Sequence, residues 1–205
     1  MKLLLATANS HKIQEITALL AETPIEIVSL RDFPGVQLPE ETGATMAENA
    51  RLKAEFCARA TGLAALSDDS GIEVDFLDGA PGVYSARWVE GSDADRTAAL
   101  LDRLQNVPNA ERGARYRCAI CIASPTGTVL ETEATCDGEI NLAPRGANGF
   151  GYDPIFEITP ATGAPNEWLG QTMAEAPPEV KALVSHRARA VRKMLATLRN
   201  CRYRI

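Results

Sequence analysis

The sequence predicts an α/β protein, one domain with two lobes and a cleft between them. Three observations carry that reading. Short apolar runs suited to strands alternate with amphipathic helical stretches from the N-terminus onward; a turn at Pro125-Thr126-Gly127 separates two strand-like runs; and the last third turns helical after Pro177-Pro178. No internal repeat, low-complexity segment or clean linker divides the 205 residues.

Lys2 to Thr7 is a mostly apolar run suited to a buried strand, and Ala8-Asn9-Ser10 breaks it. From there Ile13, Ile16, Leu19 and Leu20 recur at helical spacing, with Asn9 or Ser10 as N-cap, giving a strand, loop and helix unit. Free backbone N–H groups and the positive end of the helix dipole make such a junction a phosphate seat, and Lys12 adds a charge there. The loop lacks the GxxxxGK signature of a Walker A motif. Ile25 to Leu30 reads as a second strand. Beyond a Pro- and Gly-rich connection, Thr45-Met46-Ala47-Glu48 forms a capping box opening a helix that runs to Thr61, with Gly62 as its stop. Glu48 thus has a structural task, whereas Glu41, upstream of the cap, has none.

Leu66 to Trp88 is the stretch densest in chemical groups. Leu63 to Leu66 is predicted as a strand that delivers Asp68 and Asp69 at its end, followed by Ser70-Gly71, and Ile72 to Phe76 alternates like another strand. Magnesium needs one or two well-placed carboxylates, with substrate phosphates filling its remaining positions. A solvated acidic turn is the plain alternative. In extended chain neighbouring side chains point oppositely, so only one of the two aspartates faces the cleft, and it is expected to face solvent there. Asp78-Gly79 marks a turn and Pro81 to Trp88 a loop. Ser92-Asp93-Ala94-Asp95 starts a further helix carrying Leu100, Leu101 and Leu104, and Tyr116 to Ala123 with Thr128 to Thr135 form the two strands of a hairpin.

In Gly146 to Phe156, three glycines around Phe150 let backbone approach a ligand closely and present an aromatic ring on which a purine can stack; a Gly-rich turn with a core Phe is the alternative. In the last third, Val180, Val184, Ala188, Val191, Leu195 and Leu198 form one stripe, with Lys181, His186 and Arg187 on or beside its polar side. Ser185 serves equally well as the N-cap of a shorter final helix, which would put His186 and Arg187 in its first turn.

Composition narrows the function classes. A net charge of −6, from 21 basic and 27 acidic residues, with no basic run interleaved with aromatics, argues against extended nucleic-acid binding. A small anion remains open to a few local cations and a metal. The opening apolar run is too short for a signal-peptide core, and no stretch approaches the roughly 18 apolar residues of a membrane span. Five scattered cysteines suit a reducing, cytoplasmic setting. Cys118 and Cys121 match CxxC, but side chains three apart in a strand point to opposite faces, which favours two small buried hydrophobes over a metal or redox pair.

Six segments in order resemble the inosine triphosphate pyrophosphatase family, which acts on non-standard purine nucleoside triphosphates. They are Ala6 to Lys12, Glu41-Thr42-Gly43 with Glu48-Asn49-Ala50 and Lys53, Asp68 to Gly71, Ala80 to Arg87, Gly149 to Pro154, and Ser185 to Arg187. The resemblance covers nearly the whole chain. It implies a single two-lobed nucleoside triphosphate pyrophosphatase domain over residues 1–205: an elongated mixed β-sheet with flanking helices, a deep active-site cleft, Mg²⁺ dependence and a homodimer.

By that likeness Glu41 and Asp69 bind magnesium, and Asp69 and Lys12 are catalytic, Asp69 as general base. Thr7, Ala8, Asn9, Ser10, His11 and Lys12 line the phosphates together with Lys53, and Ser70 contacts substrate near the metal. Phe150 stacks on the base, Gly151, Tyr152 and Asp153 complete that wall, and Lys181, His186 and Arg187 read the keto edge of hypoxanthine or xanthine. Water activated by Asp69 would attack the α-phosphorus of ITP, dITP or XTP, releasing a nucleoside monophosphate and pyrophosphate. The chain departs from the family pattern at Ala8 and His11, where glycine is usual, and in Ala176 to Lys181. Two other readings stand beside this one: a nucleotide pyrophosphatase of the septum-formation inhibitor type acting on other modified or pyrimidine nucleotides, and a nucleotide-binding protein without turnover.

Overall fold

The computed structural model describes residues 2–127 and 129–201. Six strands form one mixed sheet in the order β2-β1-β3-β4-β5-β6. They are β1 (Lys2–Leu5), β2 (Glu26–Ser29), β3 (Ala64–Val74), β4 (Gly113–Ala123), β5 (Val129–Ile140) and β6 (Phe156–Glu157). β1 runs parallel to β2 and to β3, with Leu3 opposite Ile27 and Ala64, whereas β6 pairs antiparallel with β5. The helices are α1 (Ser10–Leu20), α2 (Met46–Thr61), α3 (Asp93–Arg103), α4 (Pro178–Val184) and α5 (His186–Cys201). None of the described helices is long and apolar enough to cross a membrane.

Local chemistry accounts for most element ends. Asn9 is the N-cap of α1, the Thr45 and Glu48 box opens α2, and Gly62 closes it at φ 71°. A second box, Ser92 with Asp95, opens α3. Thr128, expected to open the second hairpin strand, lies outside the described residues.

The chain divides into two compact units: Met1–Asp69 with Cys118–Ala134 and Arg187–Ile205, and Ser70–Arg117 with Thr135–His186. β3, β4 and β5 each run from one unit into the other. The first unit has its own core of Leu3, Leu5, Ile16, Leu20, Leu66, Cys118, Ile120, Val191 and Met194. The second packs Ile72, Val74, Leu100, Leu104, Tyr116, Ile140, Tyr152, Phe156 and Val184.

Three expectations are corrected. Asp68 and Asp69 do not end a strand: the two predicted runs join in one uninterrupted 11-residue strand, β3 (Ala64–Val74), with both aspartates in its middle, while Leu63 precedes it and Asp75 and Phe76 begin a short 3-10 turn. The final apolar stripe belongs to two helices, because Ser185 adopts an extended ψ of 153° and ends α4, which is the shorter-helix alternative. His186, Arg187 and Lys181 are not on a polar surface, being 5%, 1% and 8% exposed.

Cys57, Cys118, Cys121 and Cys136 are free and buried. Burial pushes the Cys57 thiol up to about 11 and those of Cys118 and Cys121 up to about 12, so these three are not thiolates near neutrality. In a Cys201→Ser variant, Ellman's reagent is therefore expected to leave all four untouched in the native protein and to titrate them in guanidinium. Rapid native labelling would contradict this burial.

Candidate active site

In the first unit, β3 brings two adjacent carboxylates into the interior, and side-chain alternation sends them to different partners. Asp68, fully buried, meets Lys12 of α1 at 3.1 Å and Arg187 of α5 at 3.2 Å through Oδ2. The Arg187 guanidinium also bonds Glu15 of α1. Asp69 turns toward α2, where Asn49 Nδ2 donates to its Oδ2 at 3.2 Å and the Lys53 ammonium lies 3.6 Å from its Oδ1. Asn49 and Lys53 are four residues apart and therefore share one helix face, here the buried one.

Lys53 holds the cluster together. Its Nζ donates to Glu41 Oε1 at 2.6 Å and to the Asp68 backbone carbonyl at 2.9 Å, in addition to facing Asp69. Burial opposes its charge, but Asp69, Asp68 and Glu41 outweigh that and raise its pKa.

The neighbouring aspartates are driven apart. Burial disfavours the charged form of Asp68, yet the charges of Lys12, Arg187 and Lys53 hold its carboxyl well below the usual range. For Asp69 burial prevails over Lys53 and Lys12, with Glu41 adding repulsion, and the carboxyl is raised. Two adjacent acids pushed in opposite directions is the electrostatic pattern that separates a base from a fixed charge. Asp69 is only 7% exposed, which corrects the expectation of a solvent-facing carboxylate.

The loop between β1 and α1 is ordered by Asn9. Its Oδ1 accepts from the amides of His11 (2.9 Å) and Lys12 (3.2 Å), and its own amide donates to Thr7 Oγ1 at 3.2 Å. Two amides of the expected phosphate seat are thus capped from within the chain. Ala8, Ser10 and His11 are exposed. Among the described residues other than glycine only Asp78 has a positive φ, so Ala8 and His11 adopt backbone open to any side chain.

In the second unit, Asp153 is the hub. Its Oδ2 accepts from Lys181 Nζ at 2.6 Å and from the Phe150 amide at 3.0 Å, and its Oδ1 from the Tyr116 hydroxyl at 3.2 Å. The Lys181 ammonium lies 4.6 Å from the Phe150 ring centre, a cation–π contact. Tyr116 stacks on His186 at 4.6 Å with 12° between the planes. Gly149 has φ 75°, and a Cβ there would lie 2.0 Å from Asp153 Oδ2, so this turn requires glycine. The Gly151 amide donates to Asp93 Oδ2 at 2.7 Å, anchoring the loop to the start of α3. Tyr152 is a core residue whose hydroxyl donates to the Ser85 carbonyl at 2.9 Å. Ser70, half-buried in β3, is the first residue of this unit.

Glu41, Lys53 and Asp69 thus come together in the first unit, as do Lys12, Asp68 and Arg187; Phe150, Asp153, Lys181 and His186 come together in the second. Arg187, next in sequence to His186, bonds to Asp68 and Glu15. Asn49, which the sequence places only within a family motif, and Tyr116, predicted only as strand, are site residues without a role assigned from sequence. The signal for Asn49 was a polar residue on the stripe Met46, Ala50, Ala54 and Cys57, which is buried.

Fold and site together define an α/β protein built around buried, lysine-bridged carboxylates. The Ham1 family profile matches residues 3–197. A dITP/XTP pyrophosphatase of an Exiguobacterium species is 46% identical over 200 residues, 97% of each chain. Among solved structures, a HAM1 protein from Coxiella burnetii superposes with TM-score 0.85 at 36% identity, covering 98% of this chain and 100% of that one. A nucleoside-triphosphatase, dITP/XTP pyrophosphatase, from Mycobacterium abscessus gives 0.73 at 43% identity, covering 95% and 99%. The chain belongs to the Ham1 family.

Proposed function

We propose that this protein hydrolyses dITP, ITP and XTP to the nucleoside monophosphate and pyrophosphate, removing non-standard purines from the nucleotide pool. The observation that carries this is the 46% identity over 97% of both chains to a relative named dITP/XTP pyrophosphatase. The reading treats residues 1–205 as one catalytic domain, acting as a cytoplasmic homodimer on free nucleotides rather than on nucleic acid or membranes.

In the first unit, Glu41 and Asp69 hold Mg²⁺. Both are oxygen donors converging on one positive charge, the Lys53 ammonium, and hard oxygen donors are what magnesium takes. Among the described residues no group of three or more His, Cys, Asp or Glu forms a protein-only cage, which suits an ion that draws its other ligands from phosphate and water. When bound, it supplies charge neutralisation at the phosphoryl oxygens. Thr7, Asn9 and Lys12 face the triphosphate, with Lys53 beside them and Ser70 near the metal. Asp69 takes a proton from water as the water oxygen bonds to the α-phosphorus; the bond to the bridging oxygen breaks, and Lys12 meets the charge on departing pyrophosphate.

In the second unit, the base stacks on Phe150, and Lys181 and His186 read its keto oxygen. Asp153 fixes Lys181 for this task. An ammonium has three donors and no acceptor, so it pairs with a keto oxygen and leaves the 6-amino group of adenine unmatched. Arg187 pairs with Asp68 and Glu15 from within the first unit. Lys181→Ala is therefore expected to lower the ITP to ATP ratio in kcat/KM by about tenfold or more, in line with loss of a charged hydrogen bond. An unchanged ratio removes Lys181 from base selection.

Incubation with Mg²⁺ and each of ITP, dITP, XTP, GTP, ATP, UTP and dTTP, with ³¹P NMR of the products, tests the whole reading. Pyrophosphate from ITP, dITP and XTP in preference to the others is expected. Orthophosphate as product, equal rates throughout, a preference for pyrimidines, or tight binding without turnover overturns it.

A further inference from the structure

We propose that Asn49 is a positioning residue for the reaction, setting the relation between Glu41 and Asp69; this rests on the reading of those carboxylates given above. Asn49 is fully buried. Its carboxamide is used at both ends: Oδ1 accepts from the Gly43 amide at 2.8 Å, and Nδ2 donates to Asp69 Oδ2 at 3.2 Å. These partners fix which way the amide points, because only the nitrogen end can donate to a carboxylate and only the oxygen end can accept from a backbone N–H. One side chain on α2 thus ties the loop that carries Glu41, two residues before Gly43, to the strand that carries Asp69.

The loop is built for this contact. A Cβ at Gly43 would lie 2.7 Å from Asn49 Oδ1 and 2.7 Å from Glu48 Cβ, so only glycine lets the backbone come close enough for the bond. Occupying Oδ2 of Asp69 also assigns roles to its two oxygens. Oδ1 is the one that faces Lys53, the lysine shared with Glu41. Lys53 and Asn49, one helical turn apart, therefore grip opposite oxygens of the same carboxylate, and Asp69 is held in one orientation. Partners that orient a metal-binding or catalytic carboxylate typically contribute 10- to 100-fold to affinity or activity when removed.

Asn49→Asp keeps the shape and the acceptor for Gly43 but puts an acceptor where Asp69 needs a donor; Asn49→Ser removes both arms without adding charge. Each variant is measured beside wild type and Asp69→Asn. The readouts are the melting temperature in EDTA, kcat and KM for ITP, and equilibrium binding of the non-cleavable α,β-imido analogue of ITP with EDTA and with Mg²⁺. The expected result is a cooperative melt, a kcat lower by about 10- to 100-fold, and a KM raised by up to about tenfold in step with the Mg²⁺-dependent binding. Analogue binding should be unchanged in EDTA and weaker by about tenfold in Mg²⁺. Wild-type kcat and Mg²⁺-dependent binding in either folded variant overturns the proposal. So does failure of both variants to fold, or equal loss of analogue binding with and without Mg²⁺, since those outcomes make Asn49 purely structural. Wild type without pyrophosphatase activity, or an active Asp69→Asn, instead overturns the reading of the carboxylates on which the proposal rests.

Discussion

Replacing Asp69 by Asn is expected to lower kcat for ITP by about 10³-fold, within the range attributed to a positioned general base, while leaving the chain folded. The activity loss follows from removing the proposed proton acceptor and half of the carboxylate pair that shares Lys53. Retention of the fold follows from electrostatics. Burial raises the Asp69 carboxyl, so its ionised form is held in the folded protein against a net penalty, and a neutral amide of the same shape escapes that penalty. The sign is clear: a carboxyl raised on folding makes the native state less stable as pH rises through the interval between its ordinary and its raised value. Asp69→Asn removes that term, so in EDTA at neutral pH its melting temperature should equal or exceed that of wild type. Lys53 keeps Glu41 and the Asp68 carbonyl as partners, so the substitution leaves no bare buried ammonium. Near-normal turnover in a folded variant would remove Asp69 from the chemistry.

What could be read in the sequence was what neighbours within a few residues decide. The Thr45 and Glu48 box, the Gly62 stop and the Ser92 cap join residues about three apart, so their partners are visible in the same window of sequence. The alternation that separates Asp68 from Asp69 is equally local. What stayed hidden depends on distant partners. Ser67-Asp68-Asp69-Ser70-Gly71 has turn composition, and its continuation as strand depends on Lys12, Lys53 and Arg187 arriving from three helices to neutralise it. Arg187 lies 119 residues from Asp68, so nothing beside it in the sequence marks it as buried. The same holds for Arg112, whose buried guanidinium donates to the carbonyls of Leu104, Ile140 and Asn141.

The site residues divide along the same line. Glu41 stood out because it had no structural task, and the glycines around Phe150 because a turn there carries an aromatic ring. For Asn49, read only as part of a motif, and Tyr116, predicted only as strand, no role was legible. Their roles appear only when α2 is set against β3, and when Tyr116 on β4 meets Asp153 and His186. The resemblance to a family supplied the roles of individual residues, and packing adds the buried pairing of Arg187 with Asp68.

That pairing makes Arg187→Ala the largest expected loss of stability. The guanidinium and Asp68 are both buried, and removing one partner of such a pair leaves the other as an uncompensated charge, at a cost of about 3–5 kcal/mol. Lys12 remains beside Asp68 and moderates the penalty toward the lower end. The exposed Arg51–Glu131 pair is the control: although bidentate, it should contribute at most about 1 kcal/mol on Arg51→Ala. The pH dependence separates charge from shape. A carboxyl held below its ordinary range on folding stabilises the native state above that range, and the contribution is lost as pH falls through the depressed value. In Arg187→Ala the Asp68 carboxyl moves back up, so the stability difference from wild type should be full near neutrality and narrow as pH falls below about 4. Urea denaturation of both proteins at neutral and acid pH measures it. A constant difference would mean that Arg187 contributes by filling space. A folded Arg187→Ala of wild-type stability with altered ITP to ATP selectivity would assign the residue to the base-reading role the family resemblance implies and not to stability.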